Sequence, residues 1–554
     1  MVTAASHEQG PVEGEVALTP IQHWFFDTHL DEPHHFNQAF LLTCTRRLRS
    51  TTLDAVIKRL AQHHDALRLR FEKVVSGWRQ VNAAHESTGL QHIDLSHEPD
   101  RQRALAEKVQ SLQESLSLAR GPIFRVALIE LGANEPQRLL LVIHHLAVDG
   151  VSWRILLADL RELYEVLEHG TEAELPAKTS SFKRWSESLL ALRDSPLLLA
   201  EERYWRDQPW DTVTALPQDF SGVNSISSEQ GVTVALDQET TRALLQEVPE
   251  IYRTQINDVL LACLWEAFGR WTHGKSLLID LEGHGREAVA DDLDLTRTVG
   301  WFTSICPVLL TAAEADPELS INLVKDRLRG MQQRAVAFGV LKYLKKSAVV
   351  AAIPAPQVRF NYLGQMDADI ADDGMFSIAP EGSGIAHSSK GTRSHLIGVD
   401  SIIIDGCLQS HWSFSTAMHL RSTIEAVASD FVTSLRTLIE QCRAARGSVV
   451  PADFPLINVS HATLERIVAS SGGARAVSDI YPLSPLQHGL IFQSMLSGQS
   501  GVYVTGLRWF IRGRLDVEVL RKAWQHVLDR HDVLRSSFVG LELETALQVV
   551  HRRV

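Results

Sequence analysis

Apolar and polar positions along the chain follow two periods, one typical of buried strands and one typical of amphipathic helices. Between Gln137 and Ile143 a mostly apolar run of strand length is bounded by polar residues. Between Val151 and Glu168 apolar residues recur every three or four positions, which predicts a helix that stops at Gly170. The two patterns predict a strand, a turn and a helix, and the turn carries the sequence His-His-Leu-Ala-Val-Asp-Gly at residues 144–150.

A second predicted strand begins at Leu277 and ends in a polar segment that contains two glycines. This segment, residues 282–287, reads Glu-Gly-His-Gly-Arg-Glu. Its glycines, Gly283 and Gly285, permit a close approach of the backbone to a ligand or to another strand. A polar turn with surface charges is the alternative interpretation of this segment. Two further segments with aromatic residues and glycine, residues 298–303 and 359–365, are typical of packing when taken alone.

Two short motifs occur twice in the chain and in the same order. Leu-Thr-Pro-Ile-Gln-His begins at Leu18, and Leu-Ser-Pro-Leu-Gln-His begins at Leu483, 465 residues later. His-Asp-Ala-Leu-Arg begins at His64, and His-Asp-Val-Leu-Arg begins at His531, 467 residues later. Nearly equal offsets of this length predict tandem copies of one large domain rather than a solenoid of short repeats.

The length of 554 residues exceeds the size at which a single hydrophobic core stops growing, about 250–300 residues. We therefore expect the first copy to consist of two lobes, with a seam near residues 172–180, where the helical periodicity lapses. Stretches rich in Pro, Gly and Ser between the two copies are typical of a linker. The expected division is an N-terminal linker at 1–15, an N-lobe at 16–175, a C-lobe at 176–445, an interdomain linker at 446–477 and a truncated second copy at 478–554.

Composition narrows the class of protein. With 45% hydrophobic and 22% charged residues, the chain is unlike disordered, collagen-like or coiled-coil proteins. The net charge of -13 has the wrong sign for binding nucleic acid or an anionic membrane mainly through charge. No apolar stretch approaches the roughly 18–20 residues of a membrane span, and no secretory signal pattern opens the chain. Five scattered cysteines without a CxxC pair fit a reducing compartment. We expect a cytoplasmic protein without nucleic-acid or membrane partners.

The histidine pair at 144–145 is the first candidate for chemistry, because a buried strand aims it at the start of a helix, where the backbone carries partial positive charge. The pairs at 34–35 and 63–64 lie in polar or helical segments, where structural or solvated roles fit better. A metal site with His145 and Asp149 as ligands is an alternative. No HExxH motif or third ligand at a recognised spacing accompanies them, so we expect no metal.

Together these motifs resemble the condensation superfamily of nonribosomal peptide synthetases and, within it, the epimerization domain. Residues 144–150 resemble the HHxxxDG signature that all branches of the superfamily share. Four segments resemble motifs of the epimerization branch: PIQHWFF at 20–26, LEGHGREAV at 281–289, RTVGWFT at 297–303 and FNYLGQ at 360–365. The resemblance covers about residues 16–445, and the tail from Tyr481 onward resembles the opening of an ordinary condensation domain.

The resemblance implies an α/β (α+β) fold with two chloramphenicol-acetyltransferase-like lobes in a V-shaped pseudo-dimer and an active site on the channel between them. It implies L-to-D epimerization of an aminoacyl or peptidyl group that a carrier protein holds as a phosphopantetheine thioester. The chain itself is then expected to bind no cofactor, because the phosphopantetheine arm is delivered by the carrier. Its implied partners are an upstream peptidyl carrier domain and a downstream condensation domain, in a synthetase of secondary metabolism.

The resemblance also assigns roles to residues. His145 and Glu282 are expected to be the catalytic pair, because imidazole has a pKa of about 6.5 and partial desolvation can raise the pKa of a carboxyl group toward neutral pH. Asp149 is expected to pair with an arginine and fix the turn, and Arg286 to hold either Glu282 or the substrate carbonyl region. The residues expected to support the pair are His144, Asp149, Gly150, Arg286, Asn361 and Tyr362. The residues expected to line the substrate channel are Trp301 and His284.

Three other classes of function compete with epimerization. A condensation domain that forms a peptide bond shares the signature at 144–150, but amine attack does not require the carboxylate of Glu282. An inactive carrier-docking module would keep the fold while tolerating the loss of His145 or Glu282. A free-standing acyltransferase that uses coenzyme A would not account for the appended second copy. Glu282 is therefore the residue that discriminates among these classes.

Overall fold

The computed structural model describes residues 8–28, 31–84, 89–171, 174–287, 289–311, 317–329, 331–365, 374–444, 447–497, 503–540 and 546–554. Within them the α-helices are α1 (Pro20–Asp27), α2 (Ser50–His63), α3 (Arg101–Gln113), α4 (Gly150–Glu168), α5 (Phe182–Leu192), α6 (Leu197–Arg206), α7 (Gln238–Tyr252), α8 (Ile256–Thr272), α9 (Pro317–Leu328), α10 (Met331–Gly339), α11 (Ala348–Ala351), α12 (Arg421–Ala444), α13 (His461–Ser470), α14 (Pro485–Ser497) and α15 (Val517–Arg530).

The strands of the same residues are β1 (Gly14–Val16), β2 (Asn37–Cys44), β3 (Leu69–Val74), β4 (Gly77–Asn82), β5 (Gln91–Asp94), β6 (Phe124–Glu130), β7 (Arg138–His144), β8 (Glu229–Ala235), β9 (Ser276–Gly283), β10 (Ser304–Thr311), β11 (Val358–Gln365), β12 (Phe376–Ile378), β13 (Ile397–Ile404), β14 (Cys407–Ser415), β15 (Val477–Pro482), β16 (Ser536–Val539) and β17 (Leu547–His551). The predicted mixed α/β fold is confirmed. No described helix is long and apolar enough to cross a membrane.

The chain divides into two compact units. The first comprises residues 1–238, 267–311 and 330–432, and the second comprises residues 239–266, 312–329 and 433–554. The division expected from the sequence, with boundaries at 175 and 445, stays a prediction. Residues 172–173 of the expected seam and residues 445–446 of the expected linker boundary lie outside the described residues.

A five-stranded sheet in the first unit carries the histidine pair. Its strand order is β12-β2-β7-β6-β5, and every residue of β7 is buried. This agrees with the apolar run in the sequence, because a central strand that is covered on both faces needs apolar side chains on both. One face packs on α3 through a cluster that includes Leu105, Val109, Leu140 and Val142. The strand ends at His144, and α4 begins six residues later.

A six-stranded sheet in the same unit has one apolar and one polar face. Its order is β10-β9-β11-β13-β14-β8. On the apolar face, Trp412 of β14 is fully buried and packs against Phe268 of α8 and Phe431 of α12. Because side chains alternate along a strand, the neighbouring positions point to the other face. That face carries a set of charged and amide side chains from three adjacent strands, namely Asp280, Glu282, Arg359, Asn361 and Asp400.

The two repeat copies fold alike. In the first unit, a small sheet of order β1-β4-β3 accompanies α1 and α2, and in the second unit a sheet of order β15-β17-β16 accompanies α14 and α15. A glutamine at the start of the first helix donates to a glutamine of the central strand in both copies, from Gln22 to Gln80 at 2.6 Å and from Gln487 to Gln548 at 2.9 Å. The sequence repeat therefore corresponds to a structural repeat.

The second unit contains a buried ion pair on the segment that precedes the second copy. Lys325 is fully buried, and its Nζ donates to Asp453 at 2.8 Å and to the carbonyl oxygen of Tyr252 at 2.5 Å. Burial lowers the pKa of Lys325, and the charge of Asp453 opposes that effect. Arg253 donates to the carbonyl oxygen of Ser478, at the start of the second copy, at 2.9 Å. These bonds fasten the segment around Asp453 and the strand β15 to helices α7 and α9.

Candidate active site

The turn after β7 places His145 among aromatic rings. Its Nδ1 donates to the carbonyl oxygen of Val148 at 2.9 Å, because a carbonyl oxygen can only accept. The Phe36 ring stacks on the imidazole with the ring centres 5.6 Å apart, and the Trp301 ring lies at 4.3 Å. The imidazole is therefore fixed in position, and its other nitrogen, Nε2, carries the lone pair.

Burial lowers the pKa of His145 below its ordinary value, while its hydrogen bond to Val148 and the charges of Glu282 and Asp149 oppose burial. The side chain is thus a neutral base at physiological pH. Glu282 lies in the six-stranded sheet and not in the turn that bears His145. Its charge nevertheless acts on the pKa of His145, so the two residues predicted to be catalytic interact electrostatically.

His144 has a different environment from His145. It is fully buried, its Nε2 donates to the carbonyl oxygen of Pro33 at 2.8 Å, and its Nδ1 accepts from the backbone N–H of Leu146 at 3.2 Å. Burial lowers the pKa of His144 to about 3. Both ring nitrogens are occupied by backbone groups, so this residue holds the loop in shape.

Asp149 ties the turn to the segment that follows the Glu282 motif. Its carboxylate accepts from the backbone N–H of Ser152 at 2.7 Å, which caps α4, and from the backbone N–H of Phe302 at 3.2 Å. The Arg286 guanidinium donates to both of its oxygens, at 3.0 and 3.2 Å. The arginine expected beside Asp149 is therefore Arg286, which holds this anion and not Glu282.

Gly150, one of the residues expected to support the pair, has an ordinary backbone conformation. It is the first residue of α4, and its φ lies outside the left-handed region. A Cβ added there would meet no atom within 4 Å. The glycine that does have a special conformation is Gly285, with φ +66°, where an added Cβ would lie 1.8 Å from the carbonyl oxygen of Phe302. The close backbone approach is in the Glu282 segment rather than in the histidine turn.

Glu282 is held on the polar sheet face by two donors from the neighbouring strand β11. Its Oε1 accepts from Arg359 at 2.7 Å, and its Oε2 accepts from the Nδ2 of Asn361 at 2.9 Å. The other arm of Arg359 donates to Asp400 on β13 at 2.7 Å. The carboxylate is only 16% exposed. Both oxygens therefore have fixed positions.

Arg359 was not among the residues predicted from the sequence. Burial lowers its pKa, but the charges of Glu282 and Asp400 outweigh burial and raise the pKa above its ordinary value. For Asp400, burial raises the pKa, and Arg359 opposes that effect. One signal was available, because Arg359 precedes Asn361 by two positions, and residues two apart in a strand share a face.

The remaining predicted residues have varied positions. Trp301 lies against His145 and lines a cavity together with Trp24, Asp280 and Tyr343. Its indole N–H is buried without a partner among the described residues. The other two predicted residues do not meet at Glu282: Tyr362 follows Asn361 and so points to the opposite face of β11, and the ring of His284 is half-exposed beside Glu287. The roles predicted for these residues stay predictions.

The arrangement offers two groups that can carry a proton, an imidazole whose Nε2 lone pair lies 3.0 Å from the Nε2 of Gln38 and a carboxylate held by an arginine and an amide. No group of three or more His, Cys, Asp or Glu side chains in the described part of the chain is placed to hold a metal ion.

Comparison with known proteins adds a family match. The Condensation family, described as "Condensation domain", matches residues 12–451 and again residues 477–554. Chondramide synthase cmdD of Chondromyces crocatus is 41% identical over 98% of this chain, and a linear gramicidin synthase protein of Brevibacillus parabrevis is 40% identical over 100% of it. The chain spans only 15% and 7% of the length of these two relatives.

Among solved structures, the epimerization domain from the third module of tyrocidine synthetase B is 35% identical to this chain, with a TM-score of 0.74. The match covers 79% of this chain and 100% of that domain. The condensation domain from Monacolin K polyketide synthase MokA shares the fold with a TM-score of 0.63 at 14% identity, over 78% of this chain and 98% of that domain.

Proposed function

Because this chain belongs to the condensation-domain family, we propose that it is an epimerization domain of a nonribosomal peptide synthetase. Its substrate is an aminoacyl or peptidyl group joined as a thioester to the phosphopantetheine arm of a carrier protein. The reaction inverts the α-carbon from L to D. The observation that carries this proposal is the placement of Glu282, fixed by Arg359 and Asn361, in the electrostatic neighbourhood of the neutral base His145.

Inversion requires removal of the α-proton on one side and its return on the other. One group of the pair takes the proton, the C–H electron pair moves into the thioester carbonyl as an enolate, and the second group protonates the carbon from the opposite side. A thioester suits this step because sulfur conjugates weakly with the carbonyl, which leaves the α-proton more acidic than that of an amide. In the reverse direction His145 and Glu282 exchange roles.

Peptide-bond formation is the competing reaction within the family. It would use the histidine turn in the same way, but attack by an amine needs no second carboxylate that is fixed by two donors. The similarity to the tyrocidine synthetase epimerization domain, at 35% identity, also favours epimerization over the neighbours named as condensation domains, which share between 14% and 17% identity with this chain.

The carrier and the neighbouring domains complete the proposal. The relatives of this chain are named as synthases, and this chain spans a small part of each. We place the chain after a peptidyl carrier domain, which delivers the thioester, and before a condensation domain, whose opening the second repeat copy resembles. The described residues would bind the phosphopantetheine arm only as part of the substrate.

The proposal is tested by supplying a carrier protein loaded with an L-aminoacyl or L-peptidyl thioester in deuterated water. We expect solvent deuterium at the α-carbon and a mixture of D and L product. Retained L configuration with a competent carrier, or a peptide product when a second loaded carrier is added, would contradict it. Asp149→Asn keeps an acceptor for the helix cap and should retain exchange at a reduced rate, because the Asp149 carboxylate is engaged by Ser152, Phe302 and Arg286 and orders the turn.

A further inference from the structure

A chain of three hydrogen bonds passes through Gln38, a residue of β2 that the sequence did not single out. The indole N–H of Trp153 donates to the Oε1 of Gln38 at 2.8 Å. The Nε2 of Gln38 lies 3.0 Å from the Nε2 of His145. His145 in turn donates from Nδ1 to the carbonyl oxygen of Val148 at 2.9 Å.

The direction of these bonds is fixed from both ends. An indole N–H can only donate, so the atom of Gln38 that meets Trp153 is the oxygen, and its NH2 group faces His145. A carbonyl oxygen can only accept, so Nδ1 of His145 carries the ring proton and Nε2 is the acceptor. The two assignments agree, although they rest on different residues. The Gln38 amide therefore donates to the lone pair that a base would use.

We propose that Gln38 is a positioning residue that caps Nε2 of His145, holds the imidazole in its neutral Nδ1–H form, and withdraws when substrate enters. Strand pairing and neighbouring aromatic rings hold Gln38 in this position. Gln38 stands opposite Ile143 of β7, one residue before His144, at which that strand ends. On one side Phe36 stacks on His145, and on the other Phe40 meets the ring of Trp153 at 4.8 Å.

Trp153 makes the cap specific for one protonation state. When Nε2 of His145 gains a proton, that proton faces the NH2 group of Gln38. Turning the amide round would present its oxygen to His145, but it would also set the NH2 group against the indole N–H of Trp153. Either orientation leaves two donors facing each other. The cap thus opposes the imidazolium form and favours rapid return of a proton that His145 has taken up.

Other charges around His145 act on its titration as well. His144 precedes it in the chain, Asp149 lies at the start of α4, and Glu282 faces it from the six-stranded sheet. The two carboxylates favour the imidazolium form, and burial opposes it. Each carboxylate is paired with an arginine, Asp149 with Arg286 and Glu282 with Arg359. Two uncharged groups also meet His145, the ring of Phe36 just before β2 and the amide of Gln38 in β2.

The test is a nitrogen NMR titration of the free protein labelled with 15N-histidine, with the His145 signal assigned by its loss in His145→Ala. We expect an unprotonated Nε2 and a protonated Nδ1 at pH 7. Gln38→Glu supplies an acceptor to both Trp153 and His145, so the pKa of His145 should rise by about one unit or more. Gln38→Leu removes the cap and should give a smaller rise. Gln102→Glu adds the same charge at an exposed position of α3 and should leave the pKa of His145 unchanged.

A protonated Nε2 in the unmodified protein at pH 7 would overturn the proposal, and so would titration of His145 at the same pH in the unmodified protein, Gln38→Glu and Gln38→Leu. Should Gln38→Glu fail to fold, the proposal is still tested by the pKa of His145 in Gln38→Leu and by the tautomer of His145 in the unmodified protein. In exchange assays, Gln38→Glu should shift the acid limb of the pH profile upward, whereas a purely structural loss would lower the rate equally at every pH.

Only the use of the capped nitrogen in catalysis rests on the proposed function, because the cap itself is measured on the free protein. A protein with the expected nitrogen signals but no α-proton exchange on any carrier-bound thioester would refute epimerization and leave the cap standing. A protein that exchanges normally in every Gln38 variant, with an unchanged pH profile, would refute the use of the capped nitrogen in catalysis and leave epimerization standing.

Discussion

Replacing Arg359 by glutamine should impair both the stability of the six-stranded sheet and the proposed reaction. The guanidinium joins two carboxylates at 2.7 Å each, Glu282 on β9 and Asp400 on β13. Glutamine can donate to one of them but carries no charge. Arg359→Lys keeps the charge but, as a compact ammonium, lacks the planar fork that reaches both partners. The stability and activity of Arg359→Lys should therefore lie between those of the unmodified protein and of Arg359→Gln.

The expected loss of stability in Arg359→Gln follows from the burial of the three side chains. Removing one partner of a fully buried ion pair costs about 3–5 kcal/mol. These side chains are between 16% and 26% exposed, so solvent screening reduces the expected cost to about 2–3 kcal/mol. A positioned acid or base contributes about 100-fold or more to rate, so we expect a loss of about that size in α-proton exchange.

The stability lost in Arg359→Gln should also depend on pH, because the substitution changes the pKa of Asp400. Burial raises the folded-state pKa of Asp400, and Arg359 opposes that rise. Without Arg359 the folded-state pKa rises further. A carboxyl group with a raised folded-state pKa contributes stability that is present below its unfolded pKa of about 3.9 and is lost as the pH rises through the folded value, by at most about 1.4 kcal/mol per pH unit. The deficit of Arg359→Gln should therefore be larger at pH 8 than at pH 5.

The assay combines urea unfolding at pH 5 and pH 8 with exchange of the α-proton of a carrier-bound thioester. Arg393→Gln is the matched control, because Arg393, itself 7% exposed, forms an ion pair with Glu229 at 2.6 Å, whereas the two donors to Glu282 in the described structure are Arg359 and Asn361. It should lose comparable stability and exchange within about threefold of the unmodified protein. Normal exchange in Arg359→Gln would refute its role at Glu282, and an equal deficit at both pH values would refute the account of Asp400.

Two further substitutions test the packing. Gly285→Ala should cost at least about 3 kcal/mol in thermal unfolding, because its Cβ would lie 1.8 Å from the Phe302 carbonyl oxygen, whereas Gly14→Ala, with φ +85° and open space around it, should cost only about 1–2 kcal/mol. Equal losses would contradict the clash. Lys325→Met should cost about 3–5 kcal/mol in urea unfolding of the second unit, since it leaves the buried Asp453 without its nearest cation. Adding Asp453→Leu should recover part of that loss, and no recovery would contradict a charge effect.

Local periodicity was enough to predict the elements that carry the histidine turn. The structure has a strand at Arg138–His144 and a helix at Gly150–Glu168, where the apolar patterns indicate them. Periodicity could not identify Arg286 as the partner of Asp149, because the two residues are 137 positions apart and meet only through tertiary packing. The sequence could predict that Asp149 needs a cation, but not which one.

The residues that the sequence did not reveal are those whose role depends on which strands are neighbours. Arg359 shares a strand face with Asn361, but its bond to Glu282 requires β11 to lie beside β9. Gln38 contacts His145 only because β2 pairs with β7. Strand order is set by the whole fold and leaves no local pattern. Gly150 shows in addition that a glycine in a turn motif does not by itself indicate a left-handed backbone.

The most direct test of two-sided proton transfer compares His145→Gln with Glu282→Gln on both enantiomers of one carrier-bound thioester in deuterated water. If each residue serves one side of the α-carbon, each variant should lose inversion and still exchange the α-proton of one enantiomer with retained configuration. The two variants should act on opposite enantiomers. Exchange of the same enantiomer by both variants, or inversion by either at the rate of the unmodified protein, would contradict the assignment of His145 and Glu282 as the opposed pair.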